Sequence, residues 1–90
     1  MNTDKEIEKL RRKIDDFDDR ILDILVQRFS AVKEIGQIKS ISTIDISHPD
    51  REKEIVERLV DNLKEKLHRK EIMKILKPIF EISKKFQIEE

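Results

Sequence analysis

From Asp4 to about Ser40 the apolar residues fall three and four apart, at Ile7, Leu10, Ile14, Phe17, Ile21, Ile24/Leu25, Ala31/Val32, Ile35 and Ile38. That spacing follows the α-helical turn and sets these side chains along one stripe. No proline interrupts it. The pattern therefore predicts a single helix of about 55 Å at 1.5 Å per residue, with Thr3 or Asn2 as its cap. A compact domain of this length has a radius of gyration of about 12 Å. The rod is too long for such a domain, and half of its stripe would be bare in a monomer. The segment 40–47, "SISTIDIS", is rich in Ser and β-branched residues and reads as a loop. A second helix opens at "SHPD", where Ser47 and Asp50 resemble a capping box and Pro49 suits a first turn. Ile55/Val56, Leu59, Leu63 and Leu67 carry it to about Lys66. A third helix is predicted from about Lys70 to Gln87 on Ile72, Ile75/Leu76, Ile79/Phe80 and Ser83. Within it, Pro78 removes the bond to the Lys74 carbonyl and should bend the axis. The expected architecture is all-α, one domain over residues 1–90, in the order helix, loop, helix, turn, helix.

Polar residues interrupt all three stripes. Arg28, Val32, Ile35 and Lys39 lie at i, i+4, i+7 and i+11 and share the face predicted to be buried. Arg11 and Asp18 interrupt the same helix further back; Glu52 extends the stripe of helix 2, and Ser83 and Gln87 that of helix 3. An unpaired buried cation costs several kcal/mol, so each needs an anion within the fold or a bound one. Arg11, Arg28, Lys39 and Arg51 against Glu52 leave an excess of positive charge, which suits a small dianionic ligand. Duller readings stand beside this one. Arg28 can pair with Asp18, and Lys39 sits near a helix C-terminus, where the dipole favours cations. Arg11 belongs to a charged run, Arg51 and Glu52 to a charge-rich first turn, and Ser83 and Gln87 to an ordinary helix surface. The single glycine, Gly36, costs about 1 kcal/mol relative to Ala in a helix and points to close approach by another helix.

Composition narrows the chemistry. Of 90 residues 44% are charged, with 20 basic and 20 acidic, so no general field draws the chain to nucleic acid or to an anionic membrane. Four Phe with no Trp or Tyr give no stacking platform for bases. The lack of cysteine excludes disulfides and thiolate chemistry and fits a reducing compartment. His48 and His68 have no ligand spacing around them, so no metal site is expected. The start "MNTDKEIEKL" lacks the apolar core of a signal peptide, and no apolar run spans a bilayer. A soluble, cytoplasmic protein is expected.

Taken in order, "LRRKIDDFDDRILDILVQR", Lys39 eleven residues later, "HPDRE" and "PIFEISKKFQ" resemble the all-helical class of chorismate mutases, from Leu10 to Gln87. The resemblance implies an intertwined homodimer in which the long first helices pair and each active site borrows one arginine from the partner chain. It implies rearrangement of chorismate to prephenate, in phenylalanine and tyrosine biosynthesis, without metal or cofactor. By position, Arg11 becomes the borrowed arginine and Arg28 the resident one, both gripping substrate carboxylates. Lys39 contacts a carboxylate and the ether oxygen, and Gln87 is the second donor to that oxygen. Glu52 holds the ring hydroxyl, Arg51 supports that corner, Ser83 lies near a carboxylate and Ile35 forms apolar wall. His48 falls at a substrate-binding position where the family often has an acidic residue, and Pro78 where an ordinary helix former is usual. The alternatives are an isochorismate pyruvate lyase, in whose site an apolar residue would be expected in place of Glu52, and a non-catalytic helical dimerisation module.

Overall fold

The computed structural model describes residues 3–42 and 49–88, and all regular structure among them is helical. Helix α1 runs Thr3–Ser42, α2 Pro49–Asn62 and α3 Arg69–Ile88. The expected capping box at Ser47, the alternative cap Asn2, and His48 lie outside the described residues.

The long first helix dominates the shape. The molecule extends 64 Å along its greatest axis, and its radius of gyration is 17.4 Å, well above that of a compact chain of this size. Only the C-terminal half of α1 packs on α3. There Phe29 stacks on Phe86 with ring centroids 5.2 Å apart and planes 4° from parallel. The N-terminal half lies bare, and Ile7, Leu10, Ile14, Phe17, Ile21 and Ile24 are all exposed. Six large apolar side chains in one row on a charged helix are a surface built to be covered.

Helices α2 and α3 form a hairpin whose core is Ile55, Val56, Ile72, Leu76 and Phe80, with Leu59, Val60, Leu63, Leu67 and Ile79 packed against it. α2 stops at Asn62, earlier than the stripe predicts. The Leu63 and Leu67 amides still donate to carbonyls four residues back, at 2.9 Å each, but the Lys66 amide bonds the Leu63 carbonyl at 2.8 Å and tightens the turn. The chain reverses while Leu63 and Leu67 stay half-buried on the core, so the apolar period outlasts the helix. At the start of α3 the His68 amide donates to Glu71 Oε1 at 2.9 Å, one arm of a capping box. Arg69 crosses to α2 with two bonds to the Glu57 carboxylate, 2.5 and 2.8 Å, closing the hairpin.

Pro78 does not break α3, which continues to Ile88. Buried residues on both sides of it, Ile72 and Leu76 before and Phe80 and Ser83 after, hold the helix against the loss of one backbone bond.

Gly36 sits where α3 crosses α1. A Cβ at this position would overlap the Gln87 carbonyl oxygen and lie 2.9 Å from both the carbonyl carbon and Cα of Gln87. The glycine therefore lets the end of α3 lie directly on α1, as its place in the stripe suggests.

Candidate active site

All three helices wall a cavity of about 270 Å³. From α1 come Arg28, Ala31, Val32, Ile35 and Lys39; from α2, Arg51, Glu52 and Ile55; from α3, Phe80, Ser83, Lys84 and Gln87. The fold thus assembles Arg28, Ile35, Lys39, Arg51, Glu52, Ser83 and Gln87 from segments up to 59 positions apart in the chain.

Arg28 is half-buried and has no carboxylate partner among the described residues. Asp18, the internal partner open to it on sequence grounds, is exposed, ten positions back along α1. Instead Arg28 Nη1 donates to Ser83 Oγ at 2.6 Å, and the guanidinium carbon lies 5.9 Å from the centre of the Phe80 ring. Ser83, buried on α3, gives its own proton to the Ile79 carbonyl at 2.7 Å. A hydroxyl has one proton, so the oxygen facing Arg28 can only accept. A neutral acceptor and an aromatic face orient the guanidinium without neutralising it. Burial, and after it the positive charge of Arg51, hold the Arg28 pKa below the usual arginine value. The cation is partly desolvated and feels a second cation.

Lys39 is buried at 9% exposure, although it stands in the last turn of α1, where a solvated lysine beside the helix dipole would have been unremarked. Arg51 is exposed and bonds Glu54 at 3.0 Å on its own helix, yet it also lines the cavity. Among the described residues Glu52 is the one carboxylate of the wall, and its Oε2 meets Lys84 Nζ at 3.3 Å. Gln87 Oε1 is buried without a hydrogen-bond partner among the described residues. An orphaned buried polar atom costs about 1–3 kcal/mol, and a terminal amide so placed can turn its oxygen or its nitrogen to a bound molecule.

Two residues fall outside the expected pattern. Ile35 lines the cavity but keeps 44% of its surface exposed, so the face shared by Arg28, Val32, Ile35 and Lys39 is covered on only one side within a single chain. Arg11 lies away from the cavity, exposed and bonded to Glu8 at 3.4 Å. It is seventeen residues before Arg28 on the same straight element, about 25 Å along the axis, and does not reach its own chain's site. Phe80 and Lys84 were not singled out by the residue pattern as site residues. Both lie beside the Ser83 and Gln87 stripe, Phe80 three positions before Ser83 and Lys84 three before Gln87, and that adjacency was the available signal.

Several cations, an unpaired amide, a carboxylate and apolar walls of Val32, Ile55 and Phe80 make a site for a small anion with an apolar body and a hydroxyl. No group of His, Asp or Glu with metal-holding geometry occurs among the described residues. Nor is any described helix long and apolar enough to cross a membrane. The family model described as chorismate mutase type II matches residues 10–88. The chain belongs to the type II chorismate mutase family. Among curated relatives of this mutase family, the chain is 41% identical over 56 residues to the bifunctional chorismate mutase/prephenate dehydratase of Aquifex aeolicus, covering 62% of this chain and 16% of that protein. It is 36% identical over 55 residues to the chorismate mutase of Methanocaldococcus jannaschii, covering 61% of this chain and 56% of that one. The chain thus spans little more than half, or less, of the length of these two relatives. The family match takes in every cavity-lining residue and Arg11.

Proposed function

We propose that this protein is a chorismate mutase acting as an intertwined homodimer, and that it carries the intramolecular [3,3] rearrangement of chorismate to prephenate. The observation that carries the proposal is Arg28, half-buried, oriented by Ser83 and Phe80, and without a carboxylate partner among the described residues in a cavity that also holds Lys39 and Arg51. A purely structural module would gain by pairing this partly desolvated cation with an internal carboxylate, because partial burial without an anion costs solvation energy.

In this mechanism Arg28 binds one substrate carboxylate, and Arg11 of the partner subunit binds the other. The bare apolar stripe of α1 supports the dimer. Antiparallel pairing of two first helices covers it and carries the N-terminal half of each, Arg11 included, toward the far half of the other. The two arginines hold the enolpyruvyl arm folded over the ring, which converts binding energy into orientation. As the C–O bond breaks, electron density moves to the ether oxygen. Lys39 and the Gln87 amide then donate to that oxygen more strongly than in the ground state. Because an amide is a donor at every ordinary pH, the site needs no protonated carboxylate at position 87. Glu52 accepts the ring hydroxyl, the feature that favours chorismate over an isomer whose hydroxyl lies elsewhere. No proton is transferred and no covalent intermediate forms in this rearrangement.

The test is direct: loss of chorismate absorbance with identification of the product. Prephenate is expected; release of pyruvate, or no turnover by folded protein, overturns the proposal.

A further inference from the structure

Among the described residues Glu52 is the one carboxylate on a wall that also carries Arg28, Lys39 and Arg51, yet the ion pair it makes is with Lys84. Arg51 is turned to Glu54, and Arg28 to a serine hydroxyl. Lys84 and Glu52 both border the cavity and also a larger groove of about 720 Å³ between α2 and α3. The Lys84 side chain is 55% exposed, and that of Glu52 is 31% exposed. The pair therefore ties the carboxylate to a half-exposed lysine on α3.

A carboxylate that shares a cavity wall with three further cations has an alternative, which is to pair with one of them instead. Charge-assisted pairing with Arg28 or Lys39 would occupy the donors a dianionic ligand needs, and the ligand would then have to displace it. We infer that Lys84 is a positioning residue, which fixes the Glu52 carboxylate by holding Oε2, keeps the other cations open for an anion, and leaves Oε1 to accept the ligand's hydroxyl. The inference rests on the proposed anion site but concerns a residue to which the family resemblance gave no role. It sits next to Ser83, so α3 orients both recognition groups from consecutive positions: Ser83 sets Arg28 and Lys84 sets Glu52.

An exposed ion pair is worth up to about 1 kcal/mol, or roughly fivefold in an equilibrium. Lys84→Met should accordingly weaken binding of a rigid bicyclic dicarboxylate bearing the ring hydroxyl by about three- to fivefold, read by calorimetry. With chorismate it should raise KM by a similar factor and leave kcat within about twofold, the signature of uniform rather than transition-state binding. Lys84→Arg should restore both values. In a Glu52→Gln background no carboxylate remains to pair with those cations, so Lys84→Met should change the dicarboxylate affinity less than about 1.5-fold. An equal loss in both backgrounds would mean that Lys84 meets the ligand anion itself, and no loss in either would mean that Glu52 needs no holding; each overturns the inference. A wild-type protein that binds the dicarboxylate but leaves chorismate unchanged overturns the mutase proposal alone, and the affinity cycle still decides the role of Lys84.

Discussion

Replacing Gly36 by Ala opposes two effects of known sign. In an exposed helix interior the change would stabilise by about 1 kcal/mol through helix propensity. Here the added methyl meets the backbone of α3: the Gln87 carbonyl oxygen is overlapped, and the carbonyl carbon and Cα lie at 2.9 Å, against 3.4 Å or more for ordinary contact. No rotamer change relieves a clash with main chain. The end of α3 must retreat by at least half an ångström, and by more at the oxygen. Overpacking of this kind costs about 1–3 kcal/mol, so the net loss of stability is about 0–2 kcal/mol. The retreat also loosens the Phe29–Phe86 stack, a contact worth about 0.5–1.5 kcal/mol. Activity should suffer more than stability, because Gln87, the proposed donor to the ether oxygen, is carried on the moved segment, and a displacement near 1 Å at such a group costs about 10²-fold. The expected result is a modest fall in Tm with a fall in kcat of ten- to about a hundredfold. The exposed neighbour substitution Gln37→Ala is the control and should leave both unchanged. Gly36→Ala with a raised Tm and wild-type kcat would refute the reasoning, since the close approach would then be immaterial to the site.

Arg11→Ala and Arg28→Ala should each abolish most activity, because losing a charged hydrogen bond to a desolvated carboxylate costs several kcal/mol. Mixing the two variants under conditions of subunit exchange should then restore about a quarter of wild-type activity: half of the dimers are mixed, and each has one intact site. No recovery after exchange has been confirmed with differently tagged subunits would place both arginines in one chain's site or make them structural. The bare stripe of α1 predicts a dimer at micromolar concentration in sedimentation, and Phe17→Glu should dissociate it with loss of helicity; a compact, stable wild-type monomer would contradict the shared site. Arg69 hydrogen-bonds Glu57 and holds its carboxyl below the usual value of 4.5. A depressed folded-state pKa gives stability that is fully present above that value and lost as pH falls through the lower folded one. Thermal melts should therefore show wild type ahead of Glu57→Gln at pH 6 and the gap closing below about pH 4.5; a gap independent of pH would mean that charge plays no part in closing the hairpin.

The length of α1, the composition of its stripe and the need to cover it were legible in the sequence, because helical period is a property of a continuous segment and needs no knowledge of what lies opposite. The same period marked Arg28, Lys39, Ser83 and Gln87 as polar residues on faces that ought to be apolar, and Gly36 as a point of close approach. Which groups met across those faces was decided by the crossing of helices. Spacing allowed Arg28 the carboxylate of Asp18, ten residues away on the same helix; the packing of α3 on α1 gave it the hydroxyl of Ser83 instead, 55 residues away. The end of α2 was likewise a tertiary decision, since Leu63 and Leu67 keep their apolar spacing while the chain turns to bring α3 back over the core. Lys84 carried no mark in the pattern, being one lysine of a charged surface run, and its pairing with Glu52 exists only because α2 and α3 converge beside the cavity. Arg11 shows the same boundary from the other side: a single chain leaves it exposed, and the symmetry of a second copy is what would bring it to a site.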